Sequence, residues 1–517
     1  MPMWIRGIQM KKELPINEAP FIRALPQYAF LDAIVNNHHT NADEVCSMQI
    51  AGFQAGEWHF ARHCADIRTE AETIRMYREG LGIESTAVWY RSMQKSGEIV
   101  FRLTYMQYTN KWDRVTFFIN GHTDFLQDDM RPADYKLMVH CCGDLRVDVG
   151  ESTVFYKSNR ENKEIPKWYR IKTEDCRIAL YVSWEGQKWE LLHEAIAEAP
   201  LTKEKQGFCI HLCENQYFKW ICNNFQLIRY ERDAGEIVNY TGFLRRDWKN
   251  CTVHPLIRFS YDKGEMIKQR GLWEYVTESI RHNRYLEIWL NEYFIEGAAA
   301  YRQYFYNHES LIYGYEENGK RVKMMSLYNG KPVLTEAPID VIETAWCHAC
   351  ENNAEIKGFE LAPDEGGYEL DLAHIYRQVQ DYLSGRDCSE DYQYLAQKEK
   401  GIFGMPIYEE ILNHEQDRKK FLEDVRAAYS FKEHKECMRF RFRYLHEGGI
   451  LPDEEYRLLM EQADEAAATA DILLHMVLKN KMVNRMEIQE KIWEYLERLE
   501  RCDRKCCRLF LHILEVM

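Results

Sequence analysis

The chain has 517 residues, 46% of them apolar and 13% aromatic, and a formal net charge of −15. That length exceeds what one hydrophobic core supports and implies about two to four domains. The apolar fraction excludes a disordered chain. The acidic balance excludes a nucleic-acid surface, which needs clustered Lys and Arg, and the absence of any run of about 18 apolar residues argues against a membrane span.

The first residues, MPMWIRGIQMKKELP, lack the continuous apolar stretch of a signal peptide. The sixteen cysteines follow no regular spacing, so reduced thiols in a cytoplasmic protein are expected, with no cofactor and no metal. Residues 1–60 carry one short apolar helix. Pro26 is its start, and Tyr28, Phe30, Leu31, Ile34 and Val35 fall roughly on one side. His38 and His39 follow at its end, where a cation suits the helix dipole.

Residues 61–247 change texture. β-rich runs such as ESTAVWYR, RVTFFIN and RIALYVSW recur with turn signals every 8 to 12 residues, the rhythm of an all-β sandwich. Trp112, Trp184 and Trp189 in this region are read first as core and second as ligand platforms. No Asp/Asn cluster with calcium-ligand spacing stands out there.

Residues 248–370 begin with an amphipathic helix, GEMIKQRGLWEYVTESIRHNR, in which Ile267, Leu272, Val276 and Ile280 recur at helical spacing. Three strand-length runs follow, Glu287–Ile295, Ser310–Tyr315 and Val322–Leu327, with a turn of Glu316, Glu317, Asn318 and Gly319 between the last two. His308 stands at the entrance of the second strand, where its imidazole meets whatever a facing helix presents. Glu292, Tyr304 and Tyr313 are candidates to surround it. The next segment, PIDVIETAWCHACENN, reads as a helix, and Cys347 and Cys350 as ordinary helix cysteines. Residues 371–517 are helical throughout, with apolar spacing that implies a bundle. Cys502, Cys506 and Cys507 share one face of the last helix, and His434 is read as structural. The fold class expected is multidomain α+β: an α/β core, an inserted β-sandwich and a C-terminal helical bundle.

Three blocks in order carry a resemblance: IWLNEYFI with YNHESLIYGYE, then GIFGMPIYEEI, then DVRAAYSFKEHKECMRFRFRYL. They resemble Firmicute proteins related to the N-terminal part of butirosin biosynthesis protein H, a family associated with natural-product gene clusters. The resemblance covers about residues 13–60 and 248–500, and implies a papain-like core and acyl transfer from a carrier protein to an amine through a cysteine thioester. The hairpin LYVSWEGQKWELL resembles that of concanavalin-like jelly rolls, with Glu185 where Asp is usual. Carried onto this chain, His308 matches the general base and Asn329 is the candidate orienting amide. The nucleophile's place, near Gln27 and Tyr28 at the start of the first helix, holds no cysteine; Cys46 and Cys64 come later. A phenol near pKa 10 does not replace a thiolate.

Three readings follow. In the first, the nucleophile is lost and the cleft binds a peptide or a carrier-protein-bound acyl group, with Gln27, Tyr28, Glu292, Tyr304 and Tyr313 lining it. In the second, Cys46 or Cys64 with His308 and Asn329 forms an active cysteine acyltransferase or peptidase. In the third, the sandwich binds carbohydrate.

Overall fold

The structure is a computed structural model. It describes the chain apart from residues 1–10, 24–25, 36–43, 64, 79–84, 93–95, 107–112, 120–134, 142, 151, 159–165, 197–204, 213–215, 224–226, 232–236, 244–255, 329–330, 350–354, 362–368 and 389–400. It divides into two compact units, one built from residues 1–37 with 216–517 and the other from 38–215.

The second unit is a sandwich of two seven-stranded antiparallel sheets. The first sheet runs β14 (Glu190–Ile196), β13 (Arg177–Ser183), β12 (Trp168–Glu174), β7 (Ser96–Met106), β2 (Glu44–Ile50), β5 (Thr73–Arg78), β4 (Ala65–Glu70). The other runs β11 (Ser152–Lys157), β10 (Leu145–Val149), β9 (Tyr135–His140), β8 (Arg114–Ile119), β15 (Lys205–Leu212), β6 (Ser85–Ser92), β3 (His59–His63). Alternation along the strands sends Phe101, Phe117, Tyr169 and Phe208 between the sheets, where Phe101 stacks on Phe117 at 3.7 Å and on Tyr169 at 4.9 Å. The sandwich therefore begins before residue 61 and ends at 215, whereas the strand rhythm placed it at 61–247.

The strands read near residues 227–243 belong instead to the first unit. There β16 (Leu227–Glu231) pairs with β17 (Ile237–Phe243) and with β24 (Gly401–Phe403) in a three-stranded sheet. A partner some 170 residues away is invisible to local patterning.

The main sheet of the first unit is antiparallel, in the order β18 (Ile257–Asp262), β23 (Ile356–Leu361), β19 (Tyr285–Asn291), β20 (Asn307–Glu316), β21 (Arg321–Tyr328), β22 (Lys331–Pro338). The turn between β20 and β21 is where the sequence placed it, with Gly319 at φ +81°. Strand β1 (Lys11–Glu13) pairs with the far half of β20, at Gly314 to Glu316, and the Tyr285 hydroxyl donates to the Pro15 carbonyl at 2.6 Å. Helix α1 (Pro26–Val35) packs against β20 and is buried on nearly every side. The segment before it is fastened at both ends: the Phe21 amide donates to buried Asp32, and the Arg23 amide donates to Glu433 at 2.8 Å. The N-terminal residues thus fold back onto the main sheet.

Helix α2 (Gln216–Asn223) opens the second part of this unit. The single helix expected over 264–284 is two, α3 (Gly264–Arg270) and α4 (Leu272–Arg281). Gly271 separates them at φ +94°, and a Cβ there would lie 2.6 Å from the Glu274 carboxylate. Helix α5 (Ile339–Ala349) packs on β19 with Trp346 fully buried.

The C-terminal bundle consists of α6 (Leu372–Ser384), α7 (Pro406–Asn413), α8 (Glu415–Glu423), α9 (Val425–Glu447), α10 (Asp453–Val483) and α11 (Met486–Val516). The long helix expected from 408 to 449 breaks twice, where His414 and Asp424 are extended. Asp424 caps α9 by accepting from the Arg426 amide at 3.0 Å. These helices form one compact unit with the main sheet and not a separate domain over 371–517.

Candidate functional site

Register builds the site. Leu290 pairs with His308 and Asn291 with Asn307, and the Glu292 amide donates to the Tyr306 carbonyl at 2.8 Å. Alternation then puts Leu290, Glu292, Tyr306 and His308 on one face of the sheet. Asn291, Asn307 and Phe305 take the other face. There Asn291 donates to Asn307 at 2.8 Å, Asn307 donates to the Ala349 carbonyl at 3.3 Å, and Phe305 stacks on His348 of α5 at 6.4 Å. Helix α5 therefore covers the face away from His308.

On the His308 face, the imidazole Nδ1 lies 3.6 Å from Glu292 Oε1, with 18% and 6% of the two side chains exposed. That is an ion-pair distance, longer than a hydrogen bond. Among the described residues Nδ1 has no hydrogen-bond partner. Burial lowers the His308 pKa, against a smaller opposing effect of the Glu309 backbone. Burial raises the Glu292 carboxyl, against the Ala300 amide. Both shifts disfavour the charged forms, as burial does when the paired charge does not make up for lost water. The Tyr328 hydroxyl is pushed up to about 12, chiefly by burial and in part by the Glu292 charge, against a hydrogen bond with Ser326. Tyr306 stacks on His308 at 5.7 Å, and Tyr304 meets Tyr306 edge-on at 6.4 Å. Tyr304 and Tyr306 are 56% and 48% exposed, an aromatic rim beside a buried polar pair, while Phe305 lies on the α5 side.

The sequence-predicted residues fall as follows. Glu292 and His308 come together, and Tyr304 reaches them only through Tyr306. Tyr313 is five residues along β20 from His308, roughly 16 Å at strand rise, and is buried elsewhere in the sheet. It is not a partner of the imidazole, because a strand carries its residues away from a fixed point. Tyr315 is likewise engaged, accepting from Arg281 at 3.1 Å. Tyr28 is buried within α1. Gln27 is the second residue of α1, its side chain outside the description, and Asn329 and Cys64 lie outside the described residues. Cys46 belongs to β2 and is packed in the core between the two sheets of the sandwich. Tyr328 and the Ser310–Ser326 hydroxyl pair (2.6 Å) were missed. Their place beside His308 follows from the β20–β21 register, not from composition.

Five buried thiols of this unit are held toward their protonated, less nucleophilic form. Burial pushes Cys222 up to about 12 and raises Cys437, Cys502, Cys506 and Cys507. Cys502, Cys506 and Cys507 do share a buried face of α11. Cys347 is exposed on α5, while Cys350 lies outside the described residues. Glu410, His414 and Asp417 at the α7–α8 corner bring three ligand atoms within 4.8 Å of one another, and clusters of this kind are common without an ion. No helix among the described residues is long and apolar enough to cross a membrane.

No protein-family model matches the chain, and no curated protein matches it. Among solved structures, the exoplasmic/lumenal domain of VIP36 bound to Ca2+ and Man3GlcNAc is 10% identical over 32% of this chain and 83% of that one, with a TM-score of 0.26. The carbohydrate-binding module CBM66 from Bacillus subtilis is 13% identical over 30% of this chain and 92% of that one, at 0.20. A sialidase is 17% identical over 30% of this chain and 13% of that one, at 0.14.

Proposed function

We propose that the chain is a papain-like-fold component of peptide or natural-product biosynthesis in which the His308 cleft binds, without cleaving, a peptide or a carrier-protein-bound acyl group. Helix α1 against an antiparallel sheet with a histidine at the start of β20 supports the papain-like reading. The observation that carries the binding role is the pairing of an exposed aromatic rim, Tyr304 and Tyr306, with a Glu292–His308 pair to which no described thiol is bonded. A thiolate–imidazole couple needs sulfur and nitrogen within hydrogen-bond reach. The described cysteines of this unit whose acidity burial changes are all moved toward the inert thiol.

The test is a titration with an acyl-pantetheine thioester, followed by tyrosine fluorescence and by recovery of the ligand. The expected result is saturable binding, weakened about tenfold by Tyr306→Ala through loss of ring contact, with the thioester recovered intact. Turnover of the thioester that disappears in His308→Ala would establish the acyltransferase reading instead.

A further inference from the structure

The first sheet of the sandwich turns Tyr169, Ile171 and Thr173 of β12 inward, so Trp168 and Arg170 face outward. Trp168 pairs with Arg102 of β7, and Arg170 with Val100 and with Tyr181 of β13. Arginines and aromatic rings thus alternate across the outer face. The Arg102 guanidinium lies 5.4 Å over the Trp168 ring, and that of Arg170 lies 5.9 Å from Tyr181 and 5.2 Å from Trp189. Arg170 also pairs with Glu98 at 3.0 Å. Among the described residues Arg102 has no carboxylate partner, and its Nε is buried without a hydrogen bond. The turn after β13 folds onto this face: Gly186, at φ +79°, lies so close that a Cβ would stand 2.9 Å from Trp168. Trp184 in that turn is 39% exposed.

We propose that this outer face binds a saccharide carrying a carboxylate. The guanidiniums of Arg102 and Arg170 supply planar donors for the carboxylate. Trp184, exposed in the turn that folds onto this face, supplies flat apolar surface for the carbon face of a sugar ring, while Trp168 and Trp189 hold the two guanidiniums in place. Charge complementarity points to an anion, because among the described residues Arg170 pairs with Glu98 alone and Arg102 with no carboxylate, on a chain of net charge −15. An extended peptide does not suit the place, since β7 and β12 are interior strands with both edges already hydrogen-bonded and recognition there rests on side chains alone. This inference is independent of the His308 reading.

The experiment titrates the full chain with uronic-acid and sialic-acid oligosaccharides, their neutral counterparts and poly-glutamate, reading tryptophan fluorescence. The expected result is binding of an acidic oligosaccharide, weakened about tenfold by Arg102→Ala at unchanged melting temperature, weakened by salt, and weakened by Trp184→Ala. Should no acidic oligosaccharide bind at millimolar concentration, or should the neutral counterparts or poly-glutamate bind equally well, the proposal is overturned.

Discussion

Two buried polar clusters in the same unit differ in how well they are satisfied. In the bundle, Lys435 of α9 and Asp503 of α11 are 1% and 2% exposed and form an ion pair. Asp503 also accepts from the hydroxyls of Tyr382 at 2.6 Å and Tyr408 at 3.0 Å, and from the Cys507 thiol at 3.7 Å. Lys435 reaches His434 Nδ1 at 2.8 Å and lies between the Tyr382 and Tyr408 rings. At the sheet, Glu292 and His308 stand 3.6 Å apart, and Nδ1 has no hydrogen bond among the described residues. A saturated network ties helices together and leaves nothing to offer a ligand; an unsaturated pair costs stability and keeps its polar atoms for something else. His434, read from sequence as structural, belongs to the first kind, and His308 to the second.

Breaking the saturated cluster gives the largest effect. Lys435→Met leaves Asp503 buried and unpaired, so a loss of about 3–5 kcal/mol is expected in urea unfolding. Replacing both, as Lys435→Met with Asp503→Leu, restores most of it; equal damage from the single and double variants would show that packing, not charge, is what matters there. Next comes pH. Burial holds His434 well below its usual 6.5, with Lys435 and Arg441 adding repulsion, and lowers His308 by burial. The unfolded chain therefore binds more protons, and stability, complete above pH 6.5, falls as pH drops below it, by up to about 1.4 kcal/mol per pH unit for each proton. His434→Gln flattens that slope, measured by thermal melts between pH 7 and 5. Removing one satisfied hydrogen bond with Tyr408→Phe costs about 1 kcal/mol. The smallest effect on stability belongs to Glu292→Gln. Its carboxyl is raised by burial, so the amide relieves a desolvated charge and does not lower the melting temperature, while binding at the cleft weakens. A marked drop in melting temperature would move Glu292 into the structural class and erase the contrast.

Much of the architecture was readable because it is local. The β20–β21 hairpin follows from alternation and its Glu316–Gly319 turn, and α6 from the helical spacing of its apolar residues. Strand β22 was hidden because Pro332 and Pro338 argue against a strand; they are tolerated at the sheet edge. The sandwich boundaries were shifted because β16 and β17 have sandwich-like composition but pair with β24. His308 was legible as a histidine at a strand entrance. Its neighbour Glu292 was legible only as a nearby carboxylate, since the pairing of Leu290 with His308 is a register, and the seventeen residues between them do not encode it.

The central claim is that the His308 cleft holds no activated thiol. Iodoacetamide labelling at pH 7, followed residue by residue through peptide mass mapping, tests it most directly. The account predicts slow alkylation at every cysteine, with rates unchanged in His308→Ala. One cysteine alkylated far faster than the rest, and slowed by His308→Ala, would contradict it.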